Sequence, residues 1–406
     1  MVRVRKQPRL ICAAAVAGSS TAVIPGTDNE YEPLLSLAAL PLSLDLMPFS
    51  LDAGGVLSSA SEERDWAQLL PDLVRKIGDD LLRDDATEYI RLRAVCQPWR
   101  RATGDPSVLE PRFFPRNWLM LAPGYKLRTD GVAECFVNVR TGAFLRIRLP
   151  TPEEYIHHGN TEGLLILVHH ITDTVCLLNP LTMAFTDLPS FSPIGHVVNS
   201  AKFAIGDIKA AGVLVEVDEQ GRAQSSEPPN VVLSLTSQTR TFLVYARPRD
   251  FVWRLVDTSC TDELEGKLPT IKRGLSVWGR FYVPTRGGDV LRVVLEPRPH
   301  LTFVARQTGS SVCSGLSETS YIVSASSGDD RKDRMLLVRK KTGIQQTYYT
   351  WDVDLRNRRL IRVRTLSDMT VMLPSITLRS STFPTIMQNR VCSKDYMQRL
   401  LRGNLI

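Results

Sequence analysis

Cysteine pairing is the first thing this sequence lacks. Its seven cysteines, Cys12, Cys96, Cys135, Cys176, Cys260, Cys313 and Cys392, are odd in number and scattered, with no C-x-x-C pair. That argues against a disulfide framework and against the common zinc and redox motifs, and it fits a reducing compartment. Long apolar runs are missing too. Residues 34–51 are mostly apolar but are interrupted by Pro41, Asp45 and Pro48, so no membrane span is expected there. Acidic residues are absent before Asp28, while Arg3, Arg5, Lys6 and Arg9 precede a short apolar stretch. This leader, residues 1–61, reads as poorly ordered, and residues 1–27 also fit an organelle-targeting peptide.

Catalytic signatures are equally scarce. There is no phosphate loop, dinucleotide fingerprint, zinc-protease helix or serine elbow, and GLSVWG at 274–279 has the wrong spacing for the last. His157-His158 and His169-His170 come nearest to a metal cluster. Adjacent strand residues point to opposite faces, so at most one of each pair could serve a common site, and no carboxylate is placed to complete it. The expectation is a protein with no catalytic residue, no cofactor and no metal ligand of its own.

What is present is an ordinary folded balance: 406 residues, 43% apolar and 23% charged, with room for two or three domains. The formal charge of +7 is partly local. Between residues 331 and 364 basic side chains far outnumber acidic ones, which fits a solvated face of strands or, alternatively, a surface for an acidic partner or nucleic acid.

Residues 65–102 have helical periodicity. Leu70, Leu73, Val74, Ile77 and Leu81 recur at spacings of three and four, which predicts one amphipathic helix opening at Pro71, with Asp72 suited to its positive end. The polar run Arg83-Asp84-Asp85 breaks that pattern. A second apolar set, Tyr89, Ile90, Leu92 and Val95, predicts a second helix, and a third opens at Pro98 and carries Trp99. A unit of about 40 residues buries little by itself, so its apolar faces need either the rest of this chain or a partner.

The order of these residues resembles an F-box of the plant type: Trp66, Leu70-Pro71, Leu73, Ile77, Leu81, Leu92-Arg93-Ala94-Val95-Cys96 and Trp99-Arg100. A single residue, Asp72, separates the Leu-Pro pair from Leu73 where many relatives have two, and Pro98 stands where a polar or basic residue is commoner. The resemblance implies a helical surface that docks a Skp-type adaptor of a cullin ubiquitin ligase. Leu70, Pro71, Leu73, Ile77, Leu81, Leu92, Val95, Cys96, Trp99 and Arg100 would be its adaptor-binding residues.

Beyond Arg101 short β-branched or alternating runs take over, separated by turn residues. Strands are predicted over 134–139, 144–148, 164–169, 175–178, 213–217, 231–235, 242–246, 280–283, 290–295, 335–339, 348–353 and 360–364. A loose repeat over 163–189, 274–305 and 335–366 has roughly the spacing of a propeller blade. A β-sandwich pair is the alternative from pattern alone. The phrase Glu110–Trp118, with 351–355 and 362–368, is similar to a grass-type F-box family carrying a kelch-like domain of unknown function, the one called domain of unknown function 295. Here Met372-Leu373-Pro374-Ser375 replaces that family's closing Phe-Leu-Gly phrase.

The expected fold class is therefore multidomain: a small all-α F-box of three short helices, then an all-β domain, a kelch-like β-propeller. The expected organisation is a leader (1–61), the F-box (62–104), a linker (105–129) and the β domain (130–400). The resemblance implies a non-catalytic substrate receptor, partnered by the adaptor and through it a cullin, with an unknown protein target, in cytoplasm or nucleus. The alternative is a basic-faced propeller that binds nucleic acid or an acidic partner, with the helices purely structural.

Overall fold

The computed structural model describes residues 65–121, 133–150, 154–194, 208–215, 228–237, 240–258, 274–277, 279–285, 287–306, 318–325, 334–341, 347–373, 376–384 and 386–392. The expected leader, and Arg331 and Lys332 of the basic stretch, lie outside them.

Three helices open the described chain: α1 (Pro71–Asp84), α2 (Ala86–Val95) and α3 (Gln97–Ala102). Pro71 and Pro98 each lie in a first turn, where a missing N–H costs no helical bond. Asp85 ends α1 and caps α2, its side chain accepting from Thr87 N at 2.9 Å.

The helical core differs from the sequence expectation in a specific way. The predicted stripe is centred on Leu70, Leu73, Val74, Ile77 and Leu81, yet the buried positions of α1 are Val74 and Gly78. A Cβ on Gly78 would stand 3.0 Å from Tyr89 Cε2 and 3.3 Å from Leu92 Cδ2, so the absent side chain lets α2 lie close against α1. The inner edge of the stripe is thus covered, and its outer edge is not. Across the α2–α3 corner, Arg93 donates to the carbonyl oxygens of Arg100 and Thr103, and Arg100 Nε donates back to Arg93 O.

Six β modules follow. The first is β1 (Trp118–Met120), β2 (Ala133–Asn138) and β3 (Phe144–Arg148). The second is β4 (Tyr155–Thr161), β5 (Leu164–His169), β6 (Thr174–Asn179) and β7 (Ala184–Ser190). The third is β8 (Ile208–Leu214), β9 (Asn230–Ser237), β10 (Arg240–Ala246) and β11 (Arg254–Leu255). The fourth is β12 (Leu275–Val277), β13 (Arg280–Pro284), β14 (Val290–Val294) and β15 (His300–Ala305). The fifth is β16 (Glu318–Ala325), β17 (Arg334–Lys341), β18 (Thr347–Asp354) and β19 (Arg359–Val363). The sixth is β20 (Met369–Met372), β21 (Ile376–Arg379) and β22 (Arg390–Cys392), joined to the fifth by one parallel bridge, Ser324 to Ile376. Within each of the second to fifth modules every strand pairs antiparallel with the next in sequence.

Strand residues alternate between two neighbours rather than between core and water. In β5, Leu164, Ile166 and Val168 face the third module, while Leu165 and Leu167 face the first. In β17, Met335 and Leu337 face the fourth module, while Leu336 and Val338 face the sixth. A strand buried on both faces reads as a continuous apolar run, as LLILV does here. The last interface joins the sixth module to the first through Met372, Leu378, Cys392, Cys135 and Val137, which closes the ring.

Most predicted strands are present, but the repeat frame is shifted. Units 163–189 and 335–366 each omit the module's first strand, β4 and β16. Successive first strands β4, β8, β12 and β16 neighbour one another about the centre of the ring. Two of them, β4 (YIHHGNT) and β16 (ETSYIVSA), are rich in polar and small residues, so hydrophobic periodicity passes over them.

Residues 105–121 are the described part of the expected linker; they contribute β1 and two anchors, Phe113 against Tyr89 at 5.5 Å and Phe114 in the core between the second and third modules. Arg112 and Arg116 lie over those two rings.

Candidate functional site

The outer edge of the α1 stripe is an apolar face with no cover among the described residues. Leu70 is 66% exposed, Leu73 46%, Ile77 42%, Val95 63% and Trp66 62%. Leaving several large apolar side chains in water within one small unit is the pattern of a binding surface rather than of scattered surface residues. Acidic Asp72, Asp79 and Asp80 are also exposed on α1.

The ten positions singled out from the sequence divide into three groups by exposure. Leu70, Pro71, Leu73, Ile77, Val95 and Arg100 are exposed, and Leu81, Cys96 and Trp99 are half-buried. Leu92 is turned inward, 7% exposed beneath Gly78, so it supports the surface and is not part of it. Trp99 is held from behind: its Nε1 donates to Trp66 O at 2.9 Å, tying the start of the described chain to α3. Arg100 keeps an exposed side chain while its Nε is spent on Arg93 O.

Sequence periodicity gave no hint of what anchors this unit to the ring. Asp85 Oδ1 accepts from Thr87 N and from Trp118 Nε1, both at 2.9 Å, and Asp85 Oδ2 accepts from Asn138 Nδ2 at 2.9 Å. Trp118 and Asn138 belong to β1 and β2 and are buried. Asn117 Nδ2 donates to Asp84 O, and Tyr89 Oη donates to Gly104 O. One carboxylate therefore caps α2 and fixes the helices to the first β module. The available signal, an Asp two residues before a Thr at a helix start, indicates a cap and nothing more.

Among the described residues no group of three or more His, Cys, Asp or Glu is placed to hold a metal ion. The four histidines form no such group: His169 Nδ1 lies 3.2 Å from Thr172 N within its own turn, while His157 and His158 sit at a bulge in β4. Burial, then the Lys209 charge, lowers the His158 pKa below its ordinary 6.5 and favours the neutral ring. Burial, then Asp187, pushes the Cys176 thiol far up, which disfavours its thiolate form. Among the described residues no helix is long and apolar enough to cross a membrane.

These features define a β-propeller that carries a small helical unit with an uncovered apolar face. Comparison with known families places it more closely: the KIB1-4 beta-propeller family model matches residues 136–404, and the chain belongs to that family. No curated protein matches it. Among solved structures it is similar to YCF48 from Cyanidioschyzon merolae, at 12% identity and a TM-score of 0.30, over 57% of this chain and 66% of that one. It is also similar to a post-proline cleaving enzyme from Rickettsia typhi, at 7% identity and a TM-score of 0.22, over 52% of this chain and 30% of that one. The chain thus spans less than two thirds of the length of either.

Proposed function

We propose that the helical unit docks a Skp-type adaptor of a cullin ubiquitin ligase and that the propeller carries the protein to be modified. The observation that supports this reading most is that the F-box-like residues Leu70, Leu73, Ile77 and Val95 are all left exposed within one small helical unit. In this reading the chain is a non-catalytic receptor of cytoplasm or nucleus, and the transfer chemistry belongs to other subunits. Asp85 then acts as a positioning residue, because it orients the adaptor-facing helices against the ring.

Recombinant full-length chain, titrated with purified Skp-type adaptor by calorimetry, tests it. Leu70→Glu combined with Ile77→Glu puts charge into the face without touching Val74 or Leu92. It should weaken binding at least about thirtyfold, as loss of buried interface anchors does, at an unchanged thermal midpoint. Adaptor that fails to bind the wild-type chain, or binds the double variant equally well, rules the reading out.

A further inference from the structure

The fifth module separates its charges by face. Asp352 and Asp354 lie on one side of β18, where they pair with Arg334 at 2.6 Å and Arg359 at 3.3 Å. The opposite side carries Tyr349 and Trp351, with Arg362 in register with Trp351 and Arg339 with Tyr349. Glu318 stands opposite Lys341 in backbone register. The Arg362 guanidinium carbon sits 4.6 Å from the Tyr349 ring centre and 4.7 Å from that of Trp351. Arg364, two residues on, is exposed.

Stacking orients a guanidinium and leaves its rim of N–H donors open. Among the described residues no carboxylate or carbonyl meets that rim on Arg362, nor the side chain of Arg364. β19 ends the seven-stranded order; β15 lies near its first residues and Arg306 bridges it at Arg359, and among the described residues no further strand pairs with its outer edge. An added strand there would place alternate side chains about 7 Å apart, the same repeat that separates Arg362 from Arg364. Val363, half-buried on the other face, would meet the residue between them, with exposed Ile361 diagonal to it.

We propose that the β19 edge binds an extended acidic peptide of a partner protein, with the pattern acid–apolar–acid, whose carboxylates meet Arg362 and Arg364. Single-stranded nucleic acid fits the site less well. The rings that would stack bases are already covered by Arg362, and two open cations give little phosphate neutralisation.

Fluorescence anisotropy tests this with the full-length chain and a labelled twelve-residue peptide bearing Glu-Leu-Glu, without adaptor, so the outcome is separate from that of the docking reading. The Glu-Leu-Glu peptide should bind and a Gln-Leu-Gln control should not. Arg362→Gln with Arg364→Gln should weaken binding about tenfold or more at an unchanged melting midpoint, as loss of charge-assisted contacts does. Arg362→Lys, which keeps charge but loses the planar fork, should bind several-fold more weakly than wild type. Arg356→Gln, at an exposed site in the β18–β19 turn, should bind as wild type. No peptide binding, full binding by either Arg362 variant, or an equal loss in Arg356→Gln would overturn the proposal. So would an oligo-dT strand that binds more tightly than the peptide in the same buffer.

Discussion

Glu162 sits in the β4–β5 turn at a φ of 49° and reaches across the ring centre. Its Oε1 accepts from Ser276 Oγ at 2.7 Å and Gly279 N at 3.2 Å in the fourth module, and its Oε2 lies 2.7 Å from Arg116 Nε. Ser276 Oγ in turn accepts from Val213 N at 3.3 Å in the third module. A side chain only 4% exposed thus links three modules. Removing a buried acceptor leaves its donors unpaired, so Glu162→Ala should cost about 2 to 4 kcal/mol in urea unfolding. Arg116→Ala, at a side chain 44% exposed, should cost under about 1 kcal/mol. Equal effects would show that the ion pair, and not the cross-ring hydrogen bonds, carries the stability. None of this was legible beforehand: a Glu followed by Gly reads only as a turn. The next residue adds a backbone reason, since Gly163 has a φ of 85° and a Cβ there would come within 2.0 Å of Pro115 O.

At the scale of elements, the helices were legible because Pro71, Pro98 and the three-and-four spacing are local signals. Which edge of α1 is buried was not, because Gly78 carries no hydrophobic weight yet is where α2 packs. Likewise Asp85 reads as a cap, and its further bonds to Trp118 and Asn138 span 33 and 53 residues of sequence. Asp85→Ala should therefore do more than a capping loss of about 1 kcal/mol, because it also leaves the buried Trp118 indole N–H without its acceptor. The expected cost is about 2 to 4 kcal/mol in total, with hydrogen exchange accelerated across α2 and β1 together. Acceleration confined to α2 would show that the cap alone matters.

At the scale of the molecule, each module buries both faces against its neighbours, so stability depends on closure. Met372, Leu378 and Cys392 of the sixth module cover Cys135 and Val137 of the first, and Thr382 Oγ1 donates to Arg140 O at 3.0 Å across the same joint. A chain ended before Met369 would uncover this core and the one formed with Val323 and Val338. It should lose the single cooperative thermal transition and bind a hydrophobic dye at room temperature. A truncated chain that melts cooperatively at the wild-type midpoint would mean that the ring does not depend on its last module.

The sequence by itself determined the local matters: three helices with an over-wide apolar stripe, a run of short doubly buried strands, and a basic stretch near the fifth module. Each follows from residue spacing within ten or so positions. Only the tertiary structure decided which edge of the stripe stays in water, that polar first strands gather at the ring centre, and that Arg362 stacks on rings opposite the acids. Those outcomes depend on contacts between residues far apart in the chain, and spacing along the chain carries no information about them.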